Sequence, residues 1–102
     1  MWILRSSNAR NPMTFRLASG AIRTMGRAPR ADFVVDAALV SRVHCRVTAG
    51  RDGLDVEDLK STNGTFVNDR RVEHGRLADG DRLRIGRVEL TVQKQQKLAP
   101  SR

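Results

Sequence analysis

Apolar residues in this chain never recur at helical spacing over a sustained window; they alternate with polar ones in short runs, each closed by a turn-forming residue. Val43, Cys45 and Val47 alternate with His44, Arg46 and Thr48, and Leu54 and Val56 with Asp55 and Glu57. Leu83 and Ile85, then Val88, Leu90 and Val92, repeat the pattern on either side of Gly86-Arg87. A strand with this period buries one face, so such strands must pair into sheets and stack. About ten short strands are predicted, in an all-β sandwich or barrel.

In order, the predicted strands are Trp2–Arg5, Thr14–Leu17, Ala21–Met25, Phe33–Val35, Val43–Thr48, Leu54–Asp58, Thr65–Val67, Arg71–Val72, Arg82–Ile85 and Val88–Val92. Ser6–Pro12 reads as a polar loop and Ser19-Gly20 as a turn. Asn68-Asp69 reads as a hairpin turn, because both residues tolerate a positive φ. Glu73–Arg76 reads as a loop carrying an exposed His74. No internal repeat or linker interrupts the chain, which predicts one domain over residues 1–93 and a polar C-terminal tail over 94–102.

Composition narrows the chemistry. With one Trp, three Phe and no Tyr, the core must be built from Val, Leu and Ile. Nineteen basic and 11 acidic residues give a net charge of +8, which suits anionic partners such as phosphopeptides, acidic proteins or nucleic acid. Cys45 is the only cysteine, so no intrachain disulfide can form, and its place on the apolar side of a strand predicts a buried, inert thiol. One Cys and two His do not make a metal site, and no cofactor is expected. The apolar run Met1–Leu4 is too short for a signal peptide or a membrane span, which leads us to expect a cytoplasmic protein with no membrane partner.

Three segments stand out as loops at strand ends. Ser41-Arg42 enters the strand that holds Val43, Cys45 and Val47; Gly26-Arg27 ends an earlier strand; Ser61-Thr62-Asn63-Gly64-Thr65 turns between two others. A hydroxyl and guanidinium groups held together can donate to one anion, so the three segments suggest a phosphate pocket on a β scaffold.

These residues carry a resemblance. Gly26-Arg27, Ser41-Arg42-x-His44 and Asp58-Leu59-x-Ser61-x-Asn63-Gly64-Thr65 resemble the signature blocks of the forkhead-associated (FHA) domain. Phe66-Val67-Asn68 and Asp79–Gly86 are similar to the family's second half, so the resemblance runs from about Trp2 to Val92. It implies a β-sandwich of about eleven short strands, with loops at one end that bind phosphothreonine peptides.

By the same resemblance, Arg27 contacts the phosphate with a planar, permanently charged fork of donors. Ser41 donates its hydroxyl to a phosphate oxygen, and Arg42 is either a second cationic contact or a solvated charge. Thr62 touches the phosphothreonine or its neighbour, and Asn63 holds the peptide main chain. Gly26, His44 and Gly64 support the pocket: Gly26 leaves room for the backbone to turn, His44 braces the loops and fixes Ser41, and Gly64 permits the turn after Asn63. Leu39, two residues before Ser41, sits where the family reads the side chain three positions after the phosphothreonine. Lys60 stands where the family often has Gly and brings an extra cation near the peptide, and Asp69 follows Asn68 where Gly is common.

The expected function is a phosphothreonine-dependent interaction module rather than an enzyme, with a phosphothreonine-containing partner and an upstream Ser/Thr protein kinase. A catalytic Ser41–His44 pair lacks a third orienting group. Two alternatives remain open. A basic nucleic-acid-binding β domain is suggested by charge but disfavoured by the few aromatics and the absence of a groove-reading helix. The other is phosphate-independent docking through a sandwich face.

Overall fold

A computed structural model of the chain describes residues 1–6 and 12–95. The strands are β1 (Trp2–Ser6), β2 (Thr14–Leu17), β3 (Ile22–Gly26), β4 (Phe33–Val34), β5 (Cys45–Ala49), β6 (Leu54–Asp58), β7 (Thr65–Val67), β8 (Arg70–Val72), β9 (His74–Leu77), β10 (Arg82–Ile85) and β11 (Val88–Lys94). They form a six-stranded sheet in the order β2-β1-β11-β10-β7-β8 and a five-stranded sheet in the order β4-β3-β5-β6-β9. The two sheets make the expected sandwich. Among the described residues there is no helix, and so none long and apolar enough to cross a membrane.

The alternation seen in the sequence becomes the core. Cys45, Val47 and Ala49 of β5, Leu54 and Val56 of β6, Leu83 and Ile85 of β10, and Val88, Leu90 and Val92 of β11 are buried in one cluster with Trp2, Leu4, Leu17 and Met25. Trp2 belongs to the first sheet, yet its indole Nε1–H donates to the carbonyl of Gly50, at the far end of β5, over 2.9 Å. A buried indole needs such a partner, and this one links the sheets at the end remote from the signature loops.

Three features differ from the sequence reading. The segment expected as a loop around His74 is the edge strand β9, paired with β6 through Leu54↔Leu77 and Glu57↔His74. Its mixed His-Gly-Arg-Leu composition carries no strand pattern, and β6 imposes its conformation. β5 begins at Cys45 rather than Val43, so His44 precedes the strand, and its imidazole is fully buried instead of lying on a polar face. β11 continues through Gln93 and Lys94, which pair with Ile3 and Trp2; Lys94 is therefore strand rather than tail. β4 runs parallel to β3 in an otherwise antiparallel sandwich. Residues 7–11 of the predicted first loop and 96–102 of the predicted tail lie outside the described residues.

The hairpin turns follow their chemistry. Asn68 and Asp69 both have positive φ, 50° and 68°, as a type I′ turn requires, so Asp69 serves where Gly is common. Met25, Cys45 and Asp58 lie across neighbouring strands, which brings the ends of β3 and β6 and the start of β5 to one end of the sandwich. The connections that leave from there carry the signature residues.

Candidate phosphopeptide-binding loops

Five of the residues singled out in the sequence meet around one open groove of about 420 Å³, lined by Arg27, Leu39, Ser41, Thr62 and Asn63 together with Ala38 and Val40. Arg27 is tied to the β4–β5 loop twice, with its backbone N–H donating to Ser41 O and its Nε donating to Val40 O, each at 3.0 Å. With Nε engaged, the two terminal amino groups of the guanidinium remain as donors for a ligand. Ser41 Oγ accepts the backbone N–H of Thr62 at 3.0 Å, which leaves its O–H free to donate. Asn63 donates through Nδ2 to Leu39 O at 3.0 Å and so joins the two loops, while Oδ1 and the second amide hydrogen are left over. The groove therefore offers a guanidinium end, a hydroxyl and an amide within one concavity, a donor set suited to an anion.

His44 stands beneath this surface. Its Nδ1 accepts the backbone N–H of Ser41 at 3.0 Å, and its Nε2 meets Gly64 O at 2.8 Å. Those partners assign the tautomer: Nδ1 is the acceptor and Nε2–H the donor. The backbone of His44 also donates to Met25 O and accepts from Leu59 N, so this one residue binds all three signature segments together. Because Nδ1 engages the Ser41 main chain and not Oγ, the pair lacks the geometry of a nucleophile and its base.

Two glycines are required by the backbone, Gly26 by a close approach and Gly64 by its positive φ. A Cβ on Gly26 would fall 2.1 Å from Arg42 O and 2.8 Å from Val43 Cα, so Gly26 admits the close approach of the loop backbone rather than easing a turn. Gly64 has φ +93°, and a Cβ there would meet Arg71 Nε at 2.8 Å. Leu39 has φ 72° with no glycine to ease it, a conformation that costs roughly 1–2 kcal/mol in an L-residue. Asn63 holds its carbonyl, and Gly86 lets the chain pass so near that a Cβ would lie 2.9 Å from Leu39 O. The strained turn leaves the Leu39 side chain 45% exposed at the rim of the groove. Arg42 does not line the groove; its carbonyl accepts from Ala28 N, and its side chain is exposed without an ion pair among the described residues.

The sequence reading assigned no role to Asp58, Ser61 or Thr65, and the structure does. Asp58 Oδ1 accepts from Ser61 Oγ at 2.5 Å and Thr65 Oγ1 at 2.7 Å, while Oδ2 accepts from Ser61 N at 3.1 Å. Ser61 Oγ in turn accepts from Gly64 N at 2.9 Å. This closed set shapes the turn that presents Thr62 and Asn63. Burial pushes the Asp58 carboxyl up, but the hydrogen bonds from Ser61 and Thr65 outweigh it and hold the group below its ordinary value. The available signal was an acid followed at close spacing by two hydroxyl residues across a Gly-containing turn. Cys45 is fully buried, and burial followed by the nearby Asp58 charge pushes its thiol up to about 12, so it supplies no thiolate near neutral pH. Among the described residues no cluster of three or more His, Cys, Asp or Glu could hold a metal ion.

The sequence profile of the FHA domain family matches residues 23–86. The ABC transporter ATP-binding/permease protein Rv1747 of Mycobacterium tuberculosis is 41% identical over 78 residues, which is 76% of this chain and 9% of that protein. The glycogen accumulation regulator GarA of the same organism is 38% identical over 74 residues, 72% of this chain and 46% of that protein. The chain thus spans less than half the length of these curated relatives. A structure described as a structural and functional analysis of phosphothreonine-dependent FHA domain interactions superimposes with a TM-score of 0.84 at 32% identity, covering 94% of this chain and 98% of that one.

Proposed function

The chain belongs to the FHA domain family, and on that premise we propose that it is a phosphothreonine-dependent protein-interaction module, not an enzyme. Arg27, Ser41, Thr62 and Asn63 contact the phosphopeptide, with Gly26, His44 and Gly64 supporting them. The observation that carries this reading is the spare donor capacity of the groove. Part of the hydrogen-bonding capacity of Arg27, Ser41 and Asn63 is used to join loops, and the donors left over belong to residues that line one concavity. A phosphothreonine brings a charge of about −1.5 to −2 and three acceptor oxygens to such a site. Charge-assisted hydrogen bonds are worth about 1.5–3 kcal/mol each, and two or three, less the cost of ordering the peptide, suit a Kd near micromolar. The partner is a phosphorylated protein in the cytoplasm, made by an upstream Ser/Thr kinase. Arg42, outside the groove, acts as a solvated charge.

Leu39 forms an apolar wall for the peptide side chain three positions after the phosphothreonine. Burying a carboxylate against it is costly, so an aliphatic residue is preferred there over aspartate.

A degenerate phosphothreonine-peptide library followed by calorimetry tests all of this. The phosphorylated peptide should bind and its unphosphorylated counterpart should not. Arg27→Ala should weaken binding at least tenfold, as loss of one charge-assisted contact exceeds about 1.4 kcal/mol. Equal binding of both peptide forms, or tighter binding of duplex nucleic acid than of phosphopeptide at physiological salt, would overturn the reading.

A further inference from the structure

Ion pairs are distributed unevenly over this molecule. Among the described residues the paired cations are Arg46 with Glu57, Arg76 with Asp55, Arg82 with Asp69 and Glu89, and Arg84 with Asp69. Lys60 and Arg71 are among the exposed cations that take part in no ion pair among the described residues. They line a second groove, of about 560 Å³, together with Asp58, Ser61, Val72 and Glu73.

This groove and the first share the turn that runs from Ser61 to Gly64. Lys60 leaves it at φ 56°, a left-handed conformation that the neighbouring Asp58–Ser61 hydrogen bonds hold in place. On the other side, Arg71 lays its guanidinium beside Gly64; a Cβ on Gly64 would fall 2.8 Å from Arg71 Nε and 3.1 Å from its Cζ. Thr62 and Asn63, between them, line the first groove. Asp58 forms no ion pair with either cation, and its carboxylate oxygens accept from Ser61 and Thr65. Glu73 is the remaining acid in the lining, and it forms no ion pair with either cation.

We infer that Lys60 and Arg71 form a second anion subsite, one turn away from the phosphate groove, which takes an aspartate, glutamate or second phosphorylated side chain of the same bound peptide. The inference rests on the phosphothreonine reading of the first groove and adds a sequence requirement to it. A phosphopeptide held over Thr62 and Asn63 crosses the shared turn, and the unmatched charges beyond the turn stand where its flanking side chains pass.

The test is a scan by calorimetry with the whole chain and an alanine-flanked phosphothreonine peptide. Each flanking alanine is replaced in turn by aspartate and by phosphoserine. Aspartate at one position should tighten binding about threefold to fivefold, the range open to exposed charge pairs. Phosphoserine at that position should tighten it further, because it carries more charge. In the Lys60→Gln/Arg71→Gln double variant the gain should vanish while the affinity for the alanine-flanked peptide stays unchanged, and Glu73→Gln should enlarge the gain. A flat scan, or a gain that survives the double variant, overturns the subsite while leaving the phosphothreonine reading intact. Failure of the alanine-flanked peptide to bind at all overturns both. Thermal unfolding of the double variant checks that its fold is unaltered.

Discussion

His44 and Ser41 are three residues apart and do different work. The imidazole has both nitrogens engaged within the protein and is wholly buried, whereas Ser41 keeps a hydroxyl hydrogen at the groove. Removing the ring strands the Ser41 amide and the Gly64 carbonyl, and each buried group left unpaired costs about 1–3 kcal/mol. His44→Ala should therefore lower both thermal stability and phosphopeptide affinity. Ser41→Ala should lower affinity mainly. Equal defects confined to binding would show that His44 touches the peptide directly. At this scale the sequence singled out Arg27, Ser41 and Asn63 by residue type, and all three line one groove. It was silent on Asp58 and Thr65, since an acid or a threonine at a strand end looks the same whether it is solvated or closes a turn.

At the scale of the elements, the decisive contact is between the end of β3 and the loop before β5. Gly26 lies so close to the carbonyl of Arg42 that any side chain collides with backbone, which cannot rotate away. Gly26→Ala should destabilise the domain by about 3 kcal/mol or more and abolish phosphopeptide binding, as overpacking against main chain does. Chemical denaturation and calorimetry on the one variant measure both. A variant of ordinary stability and affinity would show that the loop can step aside. The sequence reading had Gly26 leave room for the chain to turn; its φ is not in the left-handed region, and the need for Gly arises between segments sixteen residues apart. β9 shows the same limit. Nothing local makes His74–Leu77 a strand; the exposed edge of β6 does.

For the molecule as a whole, acid stability reports on the link between the binding turn and the core. Asp58 sits at the end of β6, and its hydrogen bonds hold the carboxyl below its ordinary value of 3.8. A depressed folded value means that its contribution to stability is fully present above that ordinary value and is lost as pH falls through the lower folded one. Asp58→Asn should therefore unfold more easily at neutral pH, by about 2 kcal/mol for the loss of charge-assisted hydrogen bonds. The gap between variant and wild type should narrow as the pH falls below 3.8 and through the lower folded value, as both then lack the charge. A constant gap from pH 7 to pH 2 in denaturant titrations would show that the charge of Asp58 contributes nothing.

The sequence alone determined the β class, most core residues and the three segments that build the groove. Each of these follows from local physics: a side chain on a strand faces in or out by parity, and turn residues declare themselves by the backbone angles they tolerate. Only the tertiary structure decided the rest. It buried His44, paired β9 and β4 as edges, lifted Leu39 into a left-handed turn and brought Lys60 and Arg71 to one groove. Those outcomes are set by atoms distant in the chain, through close contacts and competition for hydrogen-bond partners, and no short window of sequence contains both sides of such a contact.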